Sequence, residues 1–127
     1  MWRIFFAVFL VVACATGAVA GPIEESKSAY DRGDYALAAQ LLPLAEQGDA
    51  RAQFYLGAMY AQGQGVPQDF VLAHMWYNVA AAALSGDEGK LSMENRDDVA
   101  SRMTGAQIGR AQEMARRCQQ TKFKECD

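Results

Sequence analysis

The chain has 127 residues, with 12 Lys and Arg against 15 Asp and Glu and a formal net charge of −3. That length suits one domain, and the acidic balance argues against nucleic acid or anionic lipid as partner. One histidine and three cysteines leave few residues for a metal site, so neither metal nor cofactor is expected.

At the N-terminus, Met1-Trp2-Arg3 precedes an apolar run from Ile4 to Ala13, and Ala18-Val19-Ala20 is followed by Gly21-Pro22. A charged start, an apolar middle and an A-x-A site form the pattern of a cleavable export signal, expected over 1–20. The run falls short of the roughly 20 residues of a comfortable membrane span. Removal of 1–20 takes away Arg3 and no acidic residue, so the remaining 21–127 is more acidic still. The expected location is periplasmic or secreted. Val11-Val12-Ala13-Cys14 offers an alternative, because it resembles a bacterial lipobox that would anchor the chain through a lipidated Cys14. Cys118 and Cys126 are the other two cysteines, and an even pair in an oxidising compartment predicts a disulfide.

Beyond residue 21 no strand pattern occurs and helical periodicity runs to the C-terminal region. Residues 23–32 predict a short helix ending near Gly33. Asp34 can cap the next, which sets Leu37, Leu41, Leu44 and Ala45 on one face; Pro43 inside it is expected to bend or end it, and Gly48 stops it. Asp49 can cap a helix in which Ala52, Tyr55, Leu56, Met59 and Tyr60 form one stripe, with Phe54, Ala58 and Ala61 adding apolar surface elsewhere. A helix apolar on two sides is usually sandwiched between neighbours. Gly63 suits a left-handed helix end, Gly65 a tight turn, and Val66 before Pro67 an extended link. Asp69 can cap a helix carrying Ala73, Trp76, Tyr77, Ala80 and Leu84. Ser85-Gly86-Asp87 breaks it. A charged helical segment with Leu91, Arg96, Val99, Ala100 and Met103 follows, then Thr104-Gly105-Ala106-Gln107 in the form of a capping box. Ile108, Ala111, Ala115 and Cys118 line the last helix, and the disulfide is the expected anchor of the aperiodic tail.

Taken together, residues 49–81 read DARAQFYLGAMYAQGQGVPQDFVLAHMWYNVAA. Small Ala52 and Gly57 permit close approach, Leu56, Tyr60, Trp76 and Tyr77 fill the space between helices, and the glycine-bearing turn forces them antiparallel. This string resembles the Sel1-like repeat, a relative of the tetratricopeptide repeat, through Leu56 to Tyr60, Gly63 to Val66 and Trp76 to Ala81. Ala38, Leu41, Leu42 and Ala45 resemble a degenerate preceding half-repeat, and Glu94–Gln112 resembles the C-terminal piece of exported Sel1-like proteins. The resemblance implies an all-α fold, a short α-solenoid of antiparallel helix pairs with capping helices. The full repeat is expected at about 49–84, a partial repeat at about 26–48, and the capping helices at about 88–118. A single full repeat cannot bury its own faces, so the flanking helices must complete the core.

Catalytic chemistry finds little support. His74 shares a helix side with Asn78, away from the Trp76, Tyr77 and Ala80 stripe, and is expected to be solvated. Glu24-Glu25 and Asp97-Asp98 are adjacent acids, which diverge on a helix. Gly63-x-Gly65 lacks a third glycine and joins helix to helix, so phosphate binding is not expected. Met59, Met75, Met93, Met103 and Met114 read mainly as core filling rather than copper ligands. The expected function is a non-enzymatic adaptor of the cell envelope with a protein or peptide partner. A lipid-anchored structural or assembly factor, and a cell-wall-associated hydrolase, are the alternatives. Arg51, Phe54 and Ala58 form the expected contact surface, against which stands the option that Phe54 packs on the preceding helix near Leu41.

Overall fold

A computed structural model describes residues 40–127. The expected export signal, Cys14 and the first part of the partial repeat lie outside the described residues.

Local chemistry sets each helix end. Helix α1 (Leu41–Glu46) contains Pro43 in its first turn. Amides in a first turn have no intrahelical acceptor, so proline is tolerated there. Gly48, at φ +92°, and Asp49 turn back on Ala45 and Leu44 through 3.0 and 3.1 Å backbone hydrogen bonds. The Asp49 carboxylate then accepts the Ala52 amide at 3.0 Å and starts α2 (Ala50–Gln62). Gly63 ends α2 in the left-handed conformation, at φ +67°, which glycine adopts without steric cost. The turn closes where the Asp69 amide donates to the Tyr60 carbonyl at 3.0 Å. Asp69 caps α3 (Phe70–Ala83) through the Leu72 amide. After extended Leu84, helix α4 (Gly86–Ala100) opens with Asp87 and Glu88 in its first turn, where negative charge favours the helix dipole. Helix α5 (Gly105–Gln120) begins with the expected capping box, Thr104 and Gln107 each accepting the other's amide. All regular structure among the described residues is helical.

The core is organised around α3, which packs against α2, α4 and α5. Met75, Trp76 and Val79 meet Leu41 of α1, Leu56 and Met59 of α2, and Met114 and Cys118 of α5. Ala73 and Tyr77 face the other way, onto Ala58 and Val99. Each large apolar side chain so enclosed contributes about 1.5–3 kcal/mol. The repeat residues Ala52, Leu56, Ala73, Trp76, Tyr77 and Ala80 are all buried. Gln53 is buried too, its amide nitrogen donating to the Ala45 carbonyl at 3.1 Å and tying α2 to α1.

The tail is anchored in two ways. The Cys118 and Cys126 sulfurs are at bonding distance, 1.96 Å, and a loop of this size contributes about 2.5 kcal/mol by the chain-entropy estimate. Within it Lys122 and Phe123 adopt positive φ, and the Phe123 ring lies directly over Gly48. A Cβ at Gly48 would come within 3.0 Å of that ring. The C-terminal loop thus clasps the junction between α1 and α2, a contact beyond the disulfide anchor expected from sequence.

The α2–α3 seam is tight at Gly57, where an added Cβ would stand 2.9 Å from the Tyr77 ring. Gly57→Ala is expected to lower stability by about 1–3 kcal/mol through overpacking, measured by urea denaturation; an unchanged midpoint would contradict so tight a seam.

Candidate interaction groove

Two successive antiparallel hairpins make α2 and α4 run parallel on either side of α3, and the space between them is the site of interest. On α2, Arg51, Phe54, Ala58 and Ala61 recur at helical spacing on one face. On α4, Glu88, Leu91, Asn95 and Asp98 do the same, and Arg102 continues the line just beyond the helix end. At one end the Arg51 guanidinium binds Glu88 in a bidentate fashion, at 3.0 and 3.3 Å, bridging the two helices. At the other end a cleft of about 240 Å³ lies between Gln62 of α2 and Asn95, Asp98 and Arg102, with Phe70 and Tyr77 of α3 beneath. Aromatic surface forms its floor; amides and one charge of each sign stand on its walls.

The expected contact residues divide. Arg51 is exposed at the rim, committed to Glu88. Phe54 is half-buried against Tyr77, ring centroids 5.6 Å apart, so it belongs to the groove side of the repeat rather than to the neighbourhood of Leu41. Ala58 is only 7% exposed and supports the floor, which corrects its reading as a surface contact. The α2 stripe carrying all three was legible from sequence; the facing stripe on α4 was not.

The α3–α4 seam is more polar than the periodicity predicted. Leu91 is exposed, and the position next to it, Ser92, is fully buried. Its hydroxyl donates to the Tyr77 carbonyl at 2.8 Å, which satisfies a polar group that would otherwise cost free energy on burial. Arg96 donates to the Asn78 side-chain oxygen at 3.0 Å and to the Asp97 carboxylate at 3.1 Å. His74 is not solvated: it is 3% exposed, and its Nδ1 has no hydrogen-bond partner. Burial first, then the Arg96 charge, holds its pKa below the ordinary histidine range, with Asp97 opposing weakly. Helical spacing alone does not reveal this burial, because Asn78, the i+4 neighbour of His74, is itself the acceptor of an α4 arginine. Met59, Met75 and Met114 are buried and Met103 is half-buried, whereas Met93 is exposed. No three His, Cys, Asp or Glu side chains gather as a metal-binding group among the described residues. No described helix is long and apolar enough to cross a membrane.

Antiparallel helix pairs stacked side by side, with a groove along one face, define a helical-repeat protein of tetratricopeptide type. Residues 50–83, which are α2, the glycine turn and α3, match the family model of the Sel1 repeat. That stretch is a Sel1-like repeat within the chain, and such repeats generally mediate protein–protein interaction. Neither curated proteins nor solved structures gave a match to the chain.

Ser92→Ala removes a side-chain hydrogen bond from α4 to the α3 backbone near the groove floor. The expected loss is about 1 kcal/mol, read as a lower urea midpoint with helicity retained; a stability equal to that of the parent would mean the seam is held by packing alone.

Proposed function

We propose that the protein is an exported adaptor that binds an extended segment of a partner protein in the groove between α2 and α4, without chemistry of its own. The observation that carries this reading is the composition of the groove. An aromatic floor of Phe70 and Tyr77 offers a place for one apolar side chain of the partner, which supplies burial energy. The amide of Asn95 suits the donors and acceptors of a peptide backbone. Asp98 and Arg102 then discriminate by charge at the end. The match of α2 and α3 to a repeat that generally serves interaction supports the same reading. A hydrolytic alternative would draw on His74, yet that side chain lies buried in the α3–α4 seam and does not line the groove.

Export rests on the N-terminal pattern, and the bonded cysteine pair fits an oxidising compartment. A protein purified from its native envelope should begin at Gly21 by intact mass; an acylated N-terminus at Cys14 would instead establish the lipid-anchored alternative.

The groove is tested by panning a random peptide display library on the folded chain. Peptides with an apolar anchor are expected to be enriched, to lose at least about tenfold in affinity, or about 1.4 kcal/mol, on Asp98→Arg with Asn95→Ala, and to keep it on Gln112→Lys on the outer face of α5. Equal loss on both surfaces, or no loss on the groove variant with helicity intact, would contradict the proposal.

A further inference from the structure

We propose that the α3–α4 seam around His74 is a proton-operated latch on the groove: uptake of one proton at His74 releases α4 from α3 and withdraws one wall of the binding site. This regulation rests on reading the groove as the binding site, but the latch itself is an independent property of the seam.

Helix α4 sends few side chains into the core. Its buried residues are Gly89, Ser92 and Val99, so it contributes one sizeable apolar side chain to the core. Its apolar Leu91 and Met93 are 47% and 43% exposed. By contrast, α2 and α5 contribute Leu56, Met59 and Met114 to the opposite side of α3. Beside the packing of Val99 on Ala73 and Tyr77, the hold on α4 includes two polar bonds, Ser92 to the Tyr77 carbonyl and Arg96 to Asn78. His74 lies one helical turn before Asn78, at the same seam.

Neutral His74 fits there, since an imidazole can leave one nitrogen without a partner at modest cost. An imidazolium cannot. Both of its nitrogens donate, Nδ1 meets no acceptor, and a buried unpaired charge is strongly disfavoured. The charged groups acting on it both come from α4. Arg96 repels the added proton, and Asp97 attracts it weakly, being already bound to Arg96 with its side chain 69% exposed. On α2 the one charged residue, Arg51, is paired with Glu88. On α5, Arg110 stands at a separate cleft beside Val71, Leu72, Asp69 and Asp127. The cheapest relief is to move α4, which exposes His74 to water and takes Arg96 away from it.

The sign follows from linkage. His74 binds its proton less readily in the latched state than in water, so the latch is strongest above about pH 6.5 and weakens as pH falls below that value. With a released-state pKa near 6.5, the latching equilibrium drops up to about tenfold by about pH 5.5.

Amide hydrogen exchange on the full chain with its disulfide intact and no peptide present reads the latch directly. Between about pH 7.5 and 5.5, the protection of α4 amides, corrected for intrinsic exchange, is expected to fall up to about tenfold and to fall less in α3. His74→Gln should remove that pH dependence. Because this variant could also loosen the core, an NMR titration of the His74 ring in the parent protein provides the second measurement, with a midpoint below about 6.5 expected. Equal α4 protection at both pH values, the same fall in a folded His74→Gln variant, or a ring that titrates at or above the ordinary value would overturn the latch. The peptide-panning result bears only on the groove, so a failure of either idea is separable from a failure of the other.

Discussion

Helix α3 is enclosed by its neighbours, and this enclosure governs the rest of the molecule. From Ala73 to Tyr77 every residue is buried, so no side of this stretch is left to solvent. Trp76 and Met75 require the wall built by α1, α2 and α5; Tyr77 and Ala73 require α2 and α4. A hairpin of α2 and α3 alone would leave most of that surface wet, which is why a single repeat needs its flanking helices to fold. The C-terminal loop completes the closure by bonding Cys126 to α5 and resting Phe123 on Gly48. The far end of the chain is thereby fastened to the junction at which the repeat begins.

The same enclosure creates the groove. Because α3 holds α2 on one side and α4 on another, those two helices lie parallel with a gap between them, floored by Tyr77. The apolar side of α3 thus fixes the fold, while Tyr77 and the α4 seam shape the groove. The two α3 interfaces differ in kind. Toward α2 and α5 the contact is apolar. Toward α4 it combines Val99 packing with the polar bonds of Ser92, Arg96 and Asn78. The groove therefore has one wall seated on apolar packing and one seated partly on hydrogen bonds.

What could be read from the sequence follows the reach of each interaction. Asp49, Asp69 and Thr104 act on amides three residues away, and Gly63 on its own backbone, so the helix ends were legible. The α2–α3 seam was legible as well, because a short glycine turn leaves the two stripes little choice but to meet. Polar burial was not. Ser92 and His74 look like surface residues until the partner helix is placed, since nothing near them in the chain shows that Tyr77 offers a carbonyl or that Arg96 bonds Asn78. The neighbouring Leu91 drew the expected stripe one position aside for the same reason. Phe123 carried a signal, a lone aromatic residue between two cysteines, but its seat on Gly48 depends on the path of the whole chain. Likewise, Arg51 and Phe54 marked one wall of the groove, and the wall on α4 emerges only when α3 sets the two helices parallel.

The central claim is that α3 is the last element to be exposed when the protein opens. Native-state hydrogen exchange over a series of sub-denaturing urea concentrations measures this at each amide. The account predicts that α3 amides from about Ala73 to Ala80 exchange only through global unfolding, with the steepest urea dependence in the molecule, while α4 opens at lower free energy. Exchange of α3 through a shallow local opening, with α4 or α5 better protected, would contradict it.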